Sequence, residues 1–111
     1  MNAKNQCTTV QTAQDLVKVL GSKGSAFALF YASWCPFCAR FLPIFTRKAG
    51  EEQGNFVLVQ DDRESIADDY AVTIYPTVLF FENGIVAKRL AGAAGVGLKE
   101  EQLTEFLHAC A

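Results

Sequence analysis

Cys35 and Cys38 enclose the dipeptide Pro36-Phe37. Two thiols at that spacing can exchange electrons with a disulfide, or can supply part of a zinc site. The setting favours redox chemistry. An apolar run, Phe27 through Ala32, leads into the pair, and an amphipathic segment, Cys38 through Lys48, follows it. A pair at the junction of a strand and a helix puts its first sulfur beside the free amide hydrogens of the helix N-terminus, which stabilise a thiolate. Cys38, one turn further in, shares a helix face with Cys35, so closing a disulfide needs only a small adjustment. Zinc asks for more ligands than the pair supplies. The other candidates, Cys7, His108 and Cys110, all lie near the termini.

The elements that hold such a pair must come from 111 residues, half of them apolar, which suits one domain over residues 1–111 with one well-filled core. The formal net charge is −2, with acids and bases mixed throughout. That excludes the basic footprint of a nucleic-acid or anionic-membrane partner. The longest apolar stretches, around residues 26–32 and 77–81, suit core strands and are too short to cross a bilayer. Lys4 is followed by no apolar stretch of the kind a secretory leader needs, so a cytoplasmic protein is expected, or a periplasmic one if a signal peptide has been removed. Four cysteines in a chain this apolar read as one reactive pair in a reducing compartment, with Cys7 and Cys110 as free thiols, although a bridge between those two is possible.

Residues 7–11 read as a short edge strand. Thr12 can cap a helix whose first turn holds Asp15, with Leu16, Val17, Val19 and Leu20 as its apolar stripe and Gly21 and Gly24 at its end. Residues 26–32 suit a strand buried on both faces. Phe41, Leu42, Ile44 and Phe45 follow at helical spacing, with Pro43 placed to kink that helix. Residues 56–59 form a second buried strand, and residues 63–70 a short charged helix. Residues 77–81 and 85–90 flank Asn83-Gly84, a hairpin turn. Residues 98–109 close the chain as a helix with Leu103, Phe106 and Leu107 on one face and His108 in its last turn. Phe27, Phe30, Phe41, Phe45, Phe56, Phe80 and Phe106 are expected in the core. The order β-α-β-α-β-α-β-β-α implies an α/β fold with a central mixed sheet and helices on both faces.

In this order and within one domain length, Trp34-Cys35 through Cys38, Pro43, Tyr75-Pro76-Thr77, Asn83-Gly84 and Gly92 resemble the thioredoxin family over nearly the whole chain. The resemblance implies a thioredoxin fold and a dithiol-disulfide oxidoreductase that reduces protein disulfides. Cys35 would attack and Cys38 would resolve the mixed disulfide. It further implies a cis bond before Pro76, facing the cysteines. That would leave the backbone of Tyr75 free to pair with an extended substrate peptide. Trp34, Pro36, Phe37, Tyr75, Pro76 and Gly92 would form the substrate groove. No cofactor or metal is implied. Electrons would come from NADPH through a thioredoxin reductase-like partner, and the protein would act as a monomer on protein disulfides.

Two departures stand out. Pro36-Phe37 replaces the Gly-Pro pair typical of thioredoxins and is similar to the Pro-Tyr of glutaredoxins; proline suits the first helical position but removes a donor near the sulfur. It implies a reduction potential unlike an ordinary thioredoxin's. Leu29 stands where thioredoxins bury an acid, and Val57 is expected at the position of that acid's usual lysine partner. Loss of both charges together avoids stranding one. Water, or the Cys35 sulfur departing as a thiolate, would then take the resolving proton, with Asp61 and Asp62 as candidate substitutes unless simply solvated. A glutathione-coupled glutaredoxin-like enzyme and a non-catalytic binding module of the same fold are the competing readings. Against the first, Leu90 through Gly97 supplies glycines without the acid that glutaredoxins use to hold glutathione.

Overall fold

The computed structural model describes residues 7–110; the N-terminal stretch read for a leader begins outside them. The elements run β1 (Thr8–Val10), α1 (Ala13–Gly21), β2 (Ser25–Tyr31), α2 (Pro36–Glu51), β3 (Phe56–Gln60), α3 (Ser65–Asp69), β4 (Thr77–Glu82), β5 (Ile85–Ala91) and α4 (Glu100–Cys110). They form one five-stranded sheet in the order β1-β3-β2-β4-β5. β1, β3 and β2 are parallel, whereas β4 and β5 run antiparallel, so the sheet is mixed.

β2 is central and is apolar from Ala26 to Tyr31 because both its faces are covered there. Its odd residues, Phe27, Leu29 and Tyr31, join a core with Phe41, Phe45 and Ala49 of α2 and Leu103 and Leu107 of α4. The even ones, Ala26, Ala28 and Phe30, face Leu16 and Leu20 of α1 and Ile66 and Ala67 of α3. Phe106 is half-buried, with its ring edge-on to Phe27 at 6.1 Å.

Local chemistry sets the boundaries. The Thr12 hydroxyl oxygen accepts from the Asp15 amide at 3.0 Å and starts α1. Of the expected α1 stripe only Leu16 and Leu20, one turn apart, are buried; Val17 is 61% exposed because it turns away from that line. α2 continues through Pro43 to Glu51. Asn83 and Gly84 take φ of 54° and 80°, the left-handed pair a tight hairpin needs. Among the described residues β1 pairs only with β3, which makes it an edge.

Candidate active site

Where β2 ends, the chain turns through Ser33 and Trp34 and enters α2 at Pro36. Cys35 is the N-cap of that helix. Its sulfur accepts from the Cys38 amide at 3.2 Å, the position an N-cap oxygen ordinarily takes. Pro36 at the first helical position loses no helical hydrogen bond, because that amide would have been an orphan. Cys35 shows 5% of its surface and Cys38 1%. Burial first, and then the hydrogen bond to Cys35, push the Cys38 thiol up to about 12. The two thiols are therefore unequal. One caps the helix with its sulfur, and the other is held protonated until something removes its proton.

The Tyr75–Pro76 bond is cis. The Tyr75 carbonyl oxygen lies 3.9 Å from the Cys35 sulfur, so the loop before β4 faces the pair. Behind that loop Gly92 donates its amide to the Pro76 carbonyl at 3.0 Å. A Cβ on Gly92 would come within 2.7 Å of the same oxygen, a backbone atom with no room to yield. Gly92→Ala is accordingly expected to cost about 1–3 kcal/mol in a urea titration; a variant as stable as the parent would show that the contact relaxes freely.

A groove of about 560 Å³ opens between α3, the Tyr75 loop and the start of α2. Trp34, Cys35, Pro36, Phe37 and Tyr75 line it, as do Val72 and Ile74 and, on the side of α3, Glu64 and Asp68. Pro76 is buried, and neither it nor Gly92 lines the groove; both support it from behind. Trp34 is 56% exposed, and its indole N–H donates to the Asp62 carbonyl at 2.9 Å. Its ring lies 6.1 Å from that of Tyr75. Phe37 is half-buried, with the Arg40 guanidinium 5.5 Å over its ring. Gly97 packs against it so closely that a Cβ there would come within 3.0 Å of Phe37. Phe37 thereby ties the loop after β5 to the active-site helix. The wall from α3 has no sequence signal, since it is joined to the motif only through space.

The surroundings of Leu29 correct one sequence expectation. Across the parallel β2–β3 ladder Leu29 pairs with Leu58, not Val57. Leu58 shares the cysteine-bearing core face, whereas Val57 packs on the opposite one against α1 and α3. The apolar replacement of a charged pair is thus Leu29 with Leu58.

The acids that follow β3 are both held by hydrogen bonds. Asp61 is 2% exposed, and its carboxylate accepts from the amides of Ile66 at 3.1 Å and Ala67 at 2.7 Å and from the Tyr75 hydroxyl at 2.7 Å. None of these contacts is made to a cysteine directly; the nearest link runs through Tyr75, whose carbonyl lies 3.9 Å from the Cys35 sulfur. Asp62 accepts from the Ser33 amide at 2.7 Å and hydroxyl at 2.8 Å, and these with Gln60 hold its carboxyl below the usual range. A depressed acid contributes above its unfolded value, so this clamp on the segment before Cys35 loosens only as pH falls into the acid range.

Cys7 and Cys110 are free thiols on half-buried positions, and burial raises both. His108 is exposed in the last turn of α4. Among the described residues no three His, Cys, Asp or Glu side chains gather so as to hold a metal ion. No described helix is long and apolar enough to cross a membrane.

The thioredoxin family model matches residues 6–109. A thioredoxin of Mycoplasma genitalium is 34% identical over 87 residues, covering 77% of this chain and 85% of its own. The X-ray structure of Fasciola hepatica thioredoxin superposes with a TM-score of 0.79 at 30% identity, covering 92% of this chain and 97% of that one. A bifunctional thioredoxin reductase/thioredoxin of Mycobacterium leprae is 28% identical over 99 residues; the match covers 85% of this chain and 22% of that protein.

Proposed function

Because the chain belongs to the thioredoxin family and is a thiol-disulfide oxidoreductase, we propose that it works as a reductase of protein disulfides, with Cys35 as nucleophile and Cys38 as resolving thiol. The observation that carries the assignment is the inequality of the two sulfurs. Cys35 caps α2, whereas Cys38 is buried beneath it and pushed up to about 12.

In the first step the Cys35 thiolate attacks one sulfur of the target disulfide. The target S–S bond breaks, a mixed disulfide forms, and one target thiolate departs and is protonated by water. In the second, Cys38 gives up its proton and attacks the Cys35 sulfur. The Cys35–Cys38 disulfide forms, the mixed disulfide breaks, and the second target thiolate departs. The departing thiolate in this step belongs to the target, not to Cys35, and it or water receives the Cys38 proton. Two electrons pass from the dithiol to the target, and no prosthetic group is needed.

The groove beside Cys35 suits an extended peptide, whose backbone would pair with that of Tyr75. Return of the dithiol by a reductase drawing on NADPH is supported by the Mycobacterium leprae protein, whose name joins the two activities. The free thiols Cys7 and Cys110 suit a reducing compartment such as the cytoplasm, and a monomer presents the groove unobstructed. The test is insulin reduction by the reduced chain, followed by turbidity. Cys35→Ser is expected to lose about 10³-fold or more of the rate. Activity surviving in Cys35→Ser would mean that the fold acts without its motif.

A further inference from the structure

Tyr75 lines the groove and stands beside both Cys35 and Trp34. Its carbonyl lies 3.9 Å from the Cys35 sulfur, and its ring stands 6.1 Å from that of Trp34. It belongs to the loop ahead of β4, where the Thr77 hydroxyl donates to the Ile74 carbonyl at 2.7 Å and the Gly92 amide to the Pro76 carbonyl at 3.0 Å. The far end of its side chain adds a further tie. The hydroxyl donates to the Asp61 carboxylate at 2.7 Å and also lies 3.2 Å from the Asp61 carbonyl.

Asp61 is itself immobilised. It directly follows β3, its amide donates to the Tyr31 carbonyl at 2.8 Å, and its carboxylate accepts from the first amides of α3. The end of β3, the start of α3 and the Tyr75 loop therefore meet at one buried carboxylate. A hydrogen bond to a buried carboxylate is stronger and more directional than one exposed to solvent.

We propose that Asp61 is a positioning residue for disulfide exchange, acting through the Tyr75 hydroxyl to hold the peptide-binding edge of the groove in register with the Cys35 sulfur. The inference rests on the reading of this groove as the substrate site, and it concerns extended protein substrates. A peptide that pairs with the Tyr75 backbone gains from an edge already in place, because ordering that edge on binding would subtract from affinity. A small disulfide that reaches only the sulfur does not draw on the edge to the same degree. Asp61 thus sets a preference for protein disulfides over small ones.

Tyr75→Phe separates this role from the capping of α3. The ring stays, the Asp61 carboxylate keeps its two amide donors, and only the pin is removed. The full chain and its variants are compared with insulin and with 2-hydroxyethyl disulfide as probes. In Tyr75→Phe the ratio of kcat/KM for insulin to that for the small disulfide is expected to fall about threefold to tenfold, with the loss in KM for insulin. Asp61→Asn is expected to lower the same ratio and, unlike Tyr75→Phe, to lower the urea midpoint as well. A ratio within about twofold of the parent in Tyr75→Phe, or an equal loss on both disulfides, would overturn the proposal. Cys35→Ser run alongside keeps the two readings apart: its inactivity supports the site even if Tyr75→Phe fails, and its activity would remove the site itself.

Discussion

Leu29→Asp is expected to lower the folding free energy by about 3–5 kcal/mol at neutral pH, the cost of a buried charge without a partner. Leu29 is 0% exposed and is paired in register with Leu58 on one side and Val78 on the other, both apolar. No cation faces it across the ladder, so nothing offsets the desolvation of a carboxylate. Against a total stability of about 5–15 kcal/mol for a typical domain, the loss would be visible in any denaturant titration. The sign with pH follows from linkage. Burial raises the folded pKa of this acid above its unfolded value, so the penalty is absent below the unfolded value and grows as pH rises through and above it. Urea midpoints at about pH 5 and about pH 8 should therefore diverge for Leu29→Asp much more than for the parent. Equal losses at both would show that the acid finds a partner or water.

The same variant reports on the resolving step. In the parent the Cys38 thiol, pushed up to about 12, shares its core face with Leu29 and Leu58 where a carboxylate could have stood, so its attack should accelerate with pH across the neutral range. An acid at residue 29 gives the proton somewhere to go, and the pH dependence of disulfide reduction should flatten. An unchanged profile would mean that this position does not govern the proton.

Much of this arrangement is legible in the sequence, because it is written in local chemistry. Thr12 as a cap, Pro36 at a helix start and Asn83-Gly84 as a turn each depend on residues adjacent in the chain, whereas the cis bond before Pro76 is legible only through the family resemblance. The register between β2 and β3 is not local. Both strands are buried on both faces, so no polar alternation says which residues point toward the cysteines, and a slip of one residue moves Val57 onto the face that Leu58 occupies. Asp61 misleads for a similar reason. An acid at a strand end is ordinarily solvated, and only the approach of α3 and Tyr75 supplies the donors that let it be buried. Val17 fails because apolar residues at adjacent helix positions cannot all face one sheet.

Cys38→Ser carries the second large effect. Serine is close to isosteric with cysteine, and the hydrogen bond that orients Cys35 comes from the backbone amide of residue 38, which the substitution keeps. The first attack is therefore preserved. The second is lost, since a hydroxyl cannot displace the target thiolate by forming a disulfide. Multiple turnover is expected to fall about 10³-fold or more while a covalent complex with the target accumulates.

The position of that covalent bond tests the division of labour between the two sulfurs most directly. Cys38→Ser is incubated with a disulfide-bearing protein, the complex is isolated without reductant, and the cross-linked peptide is identified by mass spectrometry. The predicted result is a target cysteine joined to Cys35, released by dithiothreitol. A target joined to Cys7 or Cys110, or sustained turnover with no complex, would contradict it.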